Sequence, residues 1–96
     1  MKQLTILCSF DLNDTVRDAL VAAGIDGFVE IPKAVGFKPG ARADFGRTPH
    51  WEATVFIAPA EDDAARAAAE RLARYAGSCE HEPCLRVLVT ALEQLG

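Results

Sequence analysis

The chain is short of the features that mark a membrane, secreted or nucleic-acid-binding protein. No stretch approaches the roughly 18 consecutive apolar residues of a spanning helix, and no charged leader with an apolar run opens it. A soluble, cytoplasmic protein is the expectation. Cysteines number three, Cys8, Cys79 and Cys84, an odd count too small for a disulfide framework, so reduced thiols are the default. Aromatics make up only 7% of the residues and the net charge is −4. The basic residues interleaved with exposed aromatics that bind RNA on a sheet are therefore missing, and no nucleic-acid partner is expected. There is no Gly-x-Ser-x-Gly turn, no Ser/His/Asp order and no phosphate-binding helix start. Asp62 and Asp63 are accounted for by a helix dipole rather than by acid–base work. The chain is not expected to be an enzyme.

What is present suffices for one core. Half of the 96 residues are apolar, which sets the expectation of a single domain over 1–96. A domain of this size buries a modest fraction of its surface, so self-association would be a natural supplement.

Hydrophobic periodicity gives the element order. Leu4, Ile6, Cys8 and Phe10 alternate within Lys2 to Phe10 as one face of a strand, with Cys8 buried and inert. Asn13 is placed to cap a helix whose Val16, Ala19, Leu20 and Ala23 form a stripe, and Gly24 ends it. Phe28 to Phe37 is rich in β-formers, but Pro32 cannot donate to a ladder, which predicts an edge strand or a bulge. Lys38 to Pro49 has two prolines, two glycines and no period, and reads as a long functional loop. Trp51 to Ala58 alternates as a third strand, with Trp51 and Val55 or their neighbours inward. Next, Ala65, Ala68, Leu72 and Ala76 stripe a second helix that Gly77 closes. Cys84 to Thr90 is the fourth strand. The order is βαββαβ, an α+β ferredoxin-like sandwich with a four-stranded antiparallel sheet and two helices on one face.

Charge is unevenly spread. Between Lys33 and His50 the basic residues Lys33, Lys38, Arg42 and Arg47 stand against Asp44 alone, giving +3 and leaving −7 for the rest of the chain. A cationic loop on an acidic body suits a small anion, which Lys38, Arg42 and Arg47 would neutralise. Cys79, His81 and Cys84 form a Cys-x-His-x-x-Cys cluster of ligand types that suit a divalent or soft metal. A fourth ligand would come from His50, Glu80, Glu82 or a neighbouring subunit. Inert loop residues and a Cys79–Cys84 redox pair are the alternatives. Residues Ser9 to Asp14 lack the Cys-x-x-Cys that heavy-metal chaperones of this architecture carry. His50 and Trp51, at the loop-to-strand junction, are read as a capping histidine and a core tryptophan.

The stretch DLNDTVRDALVAAGIDGFVEIPKAVGFKPG, Asp11 to Gly40, resembles the PII signalling family: first helix, helix-ending glycine turn, and second strand running into a glycine-rich T-loop. The likeness extends more weakly to the whole chain and makes 38–50 a T-loop-like segment. It implies a homotrimer with ligand clefts between subunits, a small anionic ligand such as bicarbonate or a nucleotide, and a protein partner such as a transporter or enzyme. Gly36, Phe37 and Lys38 would line the cleft, with Arg86 joining from the fourth strand. The chain departs from the family after the second helix, where GSCEHEPC, Gly77 to Cys84, replaces the GDGK-type phosphate loop. The resemblance therefore does not carry adenine-nucleotide binding to this chain. Related groups of the PII/CutA type bind metal, and some bicarbonate-transport members carry a C-terminal redox cysteine pair.

Overall fold

The computed structural model describes residues 1–37, 50–75 and 84–96. Its elements are β1 (Lys2–Cys8), α1 (Asn13–Ala22), β2 (Val29–Phe37), β3 (His50–Ala60), α2 (Asp62–Ala73) and β4 (Leu85–Ala91). The strands form one antiparallel sheet in the order β2-β3-β1-β4. This is the ferredoxin-like arrangement that the periodicity predicts.

The core lies between the sheet and the helices. Leu4, Ile6 and Cys8 of β1 and Thr54, Phe56 and Ala58 of β3 are all buried, and Val16, Ala19 and Leu20 of α1 and Ala65, Ala68 and Leu72 of α2 close over them. The small stripe of α2 lets it lie close to the sheet, while Phe56 fills the centre and meets the half-buried Phe28 at a ring separation of 6.1 Å. Gly24 lies just beyond the end of α1, at φ 84°. Its N–H donates to the Val21 carbonyl and the Ile25 N–H to the Leu20 carbonyl. This is the Schellman arrangement, with buried Ile25 against Leu20, and it needs the left-handed conformation that glycine takes without a Cβ penalty. Ala76 and Gly77, expected to finish α2, lie outside the described residues.

Three local expectations are corrected. Phe10 does not continue β1: Phe10–Leu12 form a single 3-10 turn, and the Phe10 ring is 74% exposed. That turn runs straight into α1, so Asn13 is the first helical residue and not the cap. Its side-chain oxygen instead accepts from the Cys8 thiol at 3.6 Å. On β3 the inward residues are the neighbours of the pair named from the sequence, Thr54 and Phe56, while Val55 and Trp51 lie half-buried. Trp51 is thus not a core residue.

Pro32 breaks the ladder as expected. The β2–β3 register shifts between Ile31 and Ala34, so Pro32 and Lys33 form a bulge on an edge strand, and Lys33 takes a left-handed φ of 58°. A bulge of this kind bends the strand and re-aims the side chains beside it.

Candidate functional site

Two connections leave the same end of the sheet. Phe37 pairs with His50 at the outer end of the β2–β3 hairpin, while Cys8 sits opposite both Thr54 and Leu85. The 38–49 segment therefore joins β2 to β3, and the 76–83 segment leads from α2 into β4, at the same end of the sheet. Lys38, Arg42 and Arg47 fall in the first segment and Cys79 and His81 in the second, all outside the described residues. Gly36, the backbones of Phe37 and His50, Cys84 and Arg86 are described.

Gly36 and Trp51 face each other across β2 and β3. A Cβ at Gly36 would overlap the Cη2, Cζ2 and Cζ3 atoms of the indole, so the ring lies directly across the glycine, an aromatic covering a strand position with no side chain of its own. This explains why the strand needs glycine at position 36. Replacing Gly36 with alanine is expected to displace the ring, and because Trp51 is the chain's one tryptophan, the fluorescence maximum should move to the red. An unchanged spectrum would mean that the ring is held elsewhere.

Register also shows what a single chain cannot assemble. Arg86 is level with Leu7 and Val55, on β4, and Gly36 is level with Trp51 on the opposite edge strand. Three strand spacings and four residues along the strand separate them, about 20 Å. Within one chain, Gly36 and Arg86 lie too far apart to hold the same small anion.

The sheet face away from the helices is apolar. Val29, Ile31 and Leu88 are 56%, 42% and 52% exposed, and Leu7, Val55 and Ile57, half-buried, lie between them in the same register. Exposed apolar side chains that are contiguous rather than scattered mark an interaction surface.

On the helix side, a cleft of about 310 Å³ opens where the β2–β3 hairpin extends past α1. Phe10, Asn13, Pro32, Lys33, Glu52 and Thr54 contribute to its walls. Sequence reasoning missed it. Phe10 looked like another inward strand residue, and Lys33 was counted only in the charge of the loop.

Electrostatics nearby are specific. The Arg17 guanidinium grips Glu30 with two bonds, Nε to Oε1 at 2.5 Å and Nη2 to Oε2 at 2.8 Å, and also meets Asp14. The hydrogen bonds to Glu30 raise the Arg17 pKa and hold the Glu30 carboxyl below its usual range. Burial, with help from Asp11 and Glu30, pushes the Cys8 thiol up to about 11, so Cys8 is inert at neutral pH.

Cys84 precedes β4 at a left-handed φ of 57°, and its carbonyl accepts from the Ser9 N–H at 2.9 Å. It is disulfide-bonded, whereas Cys8 is a free thiol. Among the described residues no group of three or more metal-ligand side chains converges. No described helix is long and apolar enough to cross a membrane.

The four-stranded sheet with two helices on one face is a fold that the chain shares with a solved PII-like protein. Among solved structures, the chain is similar to a DUF3240-family protein from Shewanella baltica OS155, at TM-score 0.66 and 24% identity over 99% of this chain and 93% of that one. It is also similar to CPII, a nitrogen regulatory PII-like protein from Thiomonas intermedia K12, in a structure bound to ADP, AMP and bicarbonate, at TM-score 0.66 and 16% identity over 98% and 93%. CPII bound to ADP and bicarbonate gives TM-score 0.65 and 15% identity over 93% and 84%. No family model matches the chain, and no curated protein matches it.

Proposed function

We propose that this chain is a PII-like regulatory protein, a homotrimer that binds a small anion in clefts between subunits and thereby changes the hold of its 38–49 loop on a protein partner. The observation that carries the reading is the apolar sheet face, with Val29, Ile31 and Leu88 exposed, in a chain whose 38–49 segment carries a local excess of positive charge. Covering that face by other copies would bring Arg86 of one subunit toward the loop base of the next, which the spacing within one chain forbids. CPII, of the same fold, was solved with ADP and bicarbonate, and the same ligand classes are the first to try here. Bicarbonate suits the basic loop; a nucleotide would have to do without a GDGK-type loop.

Titration of bicarbonate and ADP into the protein, followed by native mass spectrometry, tests the reading. Uptake of up to three ligands per trimer is expected, with binding weakened about tenfold by Arg86→Ala, the loss of one charge-assisted bond. No uptake of either at millimolar concentration would sink it.

A second reading, a redox-switched interaction protein, rests on the disulfide bond of Cys84, for which Cys79 is the proposed partner. A disulfide sulfur has no thiolate to offer a metal, so metal binding through Cys79, His81 and Cys84, with His50 as a further ligand, would belong to the reduced chain. Thiol counting separates these states. Unreduced native protein should show no reactive thiol at pH 8, because Cys8 is buried with its pKa at about 11; denatured protein should show one, and reduced denatured protein three. Three thiols before reduction would remove the redox reading.

A further inference from the structure

The cleft between the Phe10 turn and the Pro32–Lys33 bulge lies on the helix side of the sheet, opposite the face that carries Gly36, Trp51 and Arg86 in the ladder register. It is complete within one chain. Its volume, about 310 Å³, is at the lower end of the range for ligand pockets, roughly 300–1,000 Å³. That size suits a small metabolite.

Its walls divide by chemistry. One side is apolar, the exposed Phe10 ring with Pro32. The other carries a cation and an anion, Lys33 and Glu52, on neighbouring strands around the bulge. Both are exposed. Among the described residues, neither has an ion-pair partner, and the two are not paired with each other. Opposite charges two strand positions apart, yet unpaired, are positioned to receive separate ends of one molecule. Lys33 also holds a left-handed backbone conformation without being glycine. Backbone in a sparsely populated region clusters at binding sites, where the surrounding structure holds it in place.

We propose that this cleft binds a free amino acid with an apolar or aromatic side chain, in its zwitterionic form. The carboxylate would meet Lys33, the ammonium group Glu52, and the side chain the Phe10 ring and Pro32. Asn13 and Thr54, also in the wall, supply neutral polar groups between the two charges. A simple carboxylate would leave Glu52 facing it, and a simple amine would leave Lys33 facing it; like charges at close range disfavour both. The inference stands apart from the proposed anion cleft and needs no second subunit.

Isothermal titration calorimetry with L-phenylalanine and L-leucine, in buffer free of bicarbonate and nucleotide, tests it. Saturable binding at one ligand per chain is expected, with affinity lowered about tenfold in Lys33→Met and in Glu52→Gln, the loss of one charge-assisted contact each. Phe10→Ala should weaken phenylalanine binding as well. All three side chains are exposed, so the variants should fold, and their melting temperatures check this. 3-Phenylpropionate and phenethylamine, which each lack one charged end, should bind at least about tenfold more weakly than phenylalanine. Absence of heat at 10 mM phenylalanine and leucine, about the reach of such a titration, would overturn the proposal. So would binding indifferent to both charge variants, or 3-phenylpropionate binding as well as phenylalanine. Because no oligomer or anion enters the measurement, failure here leaves the PII-like reading standing, and failure of that reading leaves this one.

Discussion

Replacing Phe56 by alanine is expected to cost about 3–5 kcal/mol of folding free energy, the range for deleting a buried phenylalanine ring. Phe56 is fully buried at the centre of β3, between α1 and α2 and beside Phe28. The residues that line it are held by the sheet register and by two short helices, so the space left by the ring cannot simply close. For a domain of this length, total stability is on the order of 5–15 kcal/mol, so the variant would sit near the edge of folding. Urea denaturation should show the midpoint moved sharply down with little change in slope. Phe28→Ala, which removes a half-buried ring, should cost less. The double variant should cost less than the sum of the two, by about 0.5–1.5 kcal/mol for the ring pair. A loss below about 1 kcal/mol for Phe56→Ala would mean that the core repacks around the gap.

The second large effect concerns assembly. Leu88 stands on the edge strand β4 within the apolar sheet face, level with Thr5 and Ile57 in the ladder. Burying an aliphatic side chain there is worth about 1.5–3 kcal/mol, and a symmetric trimer repeats the contribution three times. Leu88→Glu would replace it with a carboxylate that loses its water and finds no partner, a penalty of several kcal/mol per ion. Sedimentation velocity at micromolar concentration should therefore give three times the chain mass for the parent protein and the single chain mass for Leu88→Glu. Because Leu88 is 52% exposed in the single chain, the variant should keep its fold. A parent protein that is monomeric removes the intersubunit cleft; a variant that stays trimeric moves the interface off this face.

The fold was legible in the sequence wherever side-chain periodicity reports one buried face. Leu4, Ile6 and Cys8 announced β1, and the Ala65, Ala68 and Leu72 stripe announced α2. Pro32 announced a fault in β2 because the missing N–H is a local fact. What failed was what periodicity does not see. Phe10 keeps the strand alternation for one residue beyond the point where the chain turns, so the pattern alone placed an exposed ring inside. Trp51 was sent inward because tryptophan is large and apolar, but its face is decided by the register of β3 against β1, a pairing between residues 50 positions apart from Ile6 to Phe56 and 46 from Cys8 to Thr54.

The candidate site was less legible for the same reason. Gly36 was marked by its place in a glycine-rich stretch that resembles a T-loop base, yet its contact with Trp51 depends on how the hairpin pairs. Arg86 was named correctly as a residue of the fourth strand, but its distance from Gly36 follows from the strand order, which no local window contains. The cleft at Lys33 needs the bulge, the 3-10 turn and the start of α1 together. Each was visible singly at most, and their meeting was not.

The bulge at Pro32 and Lys33 also governs how this sheet meets other strands. A sheet of four strands has two edges, here β2 and β4. Pro32 offers no N–H, and the shift between Ile31 and Ala34 breaks the even row of donors and acceptors that a newcomer would need. On the β4 side, Leu85 to Ala91 runs without interruption against β1. Among the described residues, strand addition is therefore open on one side and obstructed on the other. The obstructed flank stops copies from adding edge to edge without limit, so this sheet is built against open-ended polymerisation.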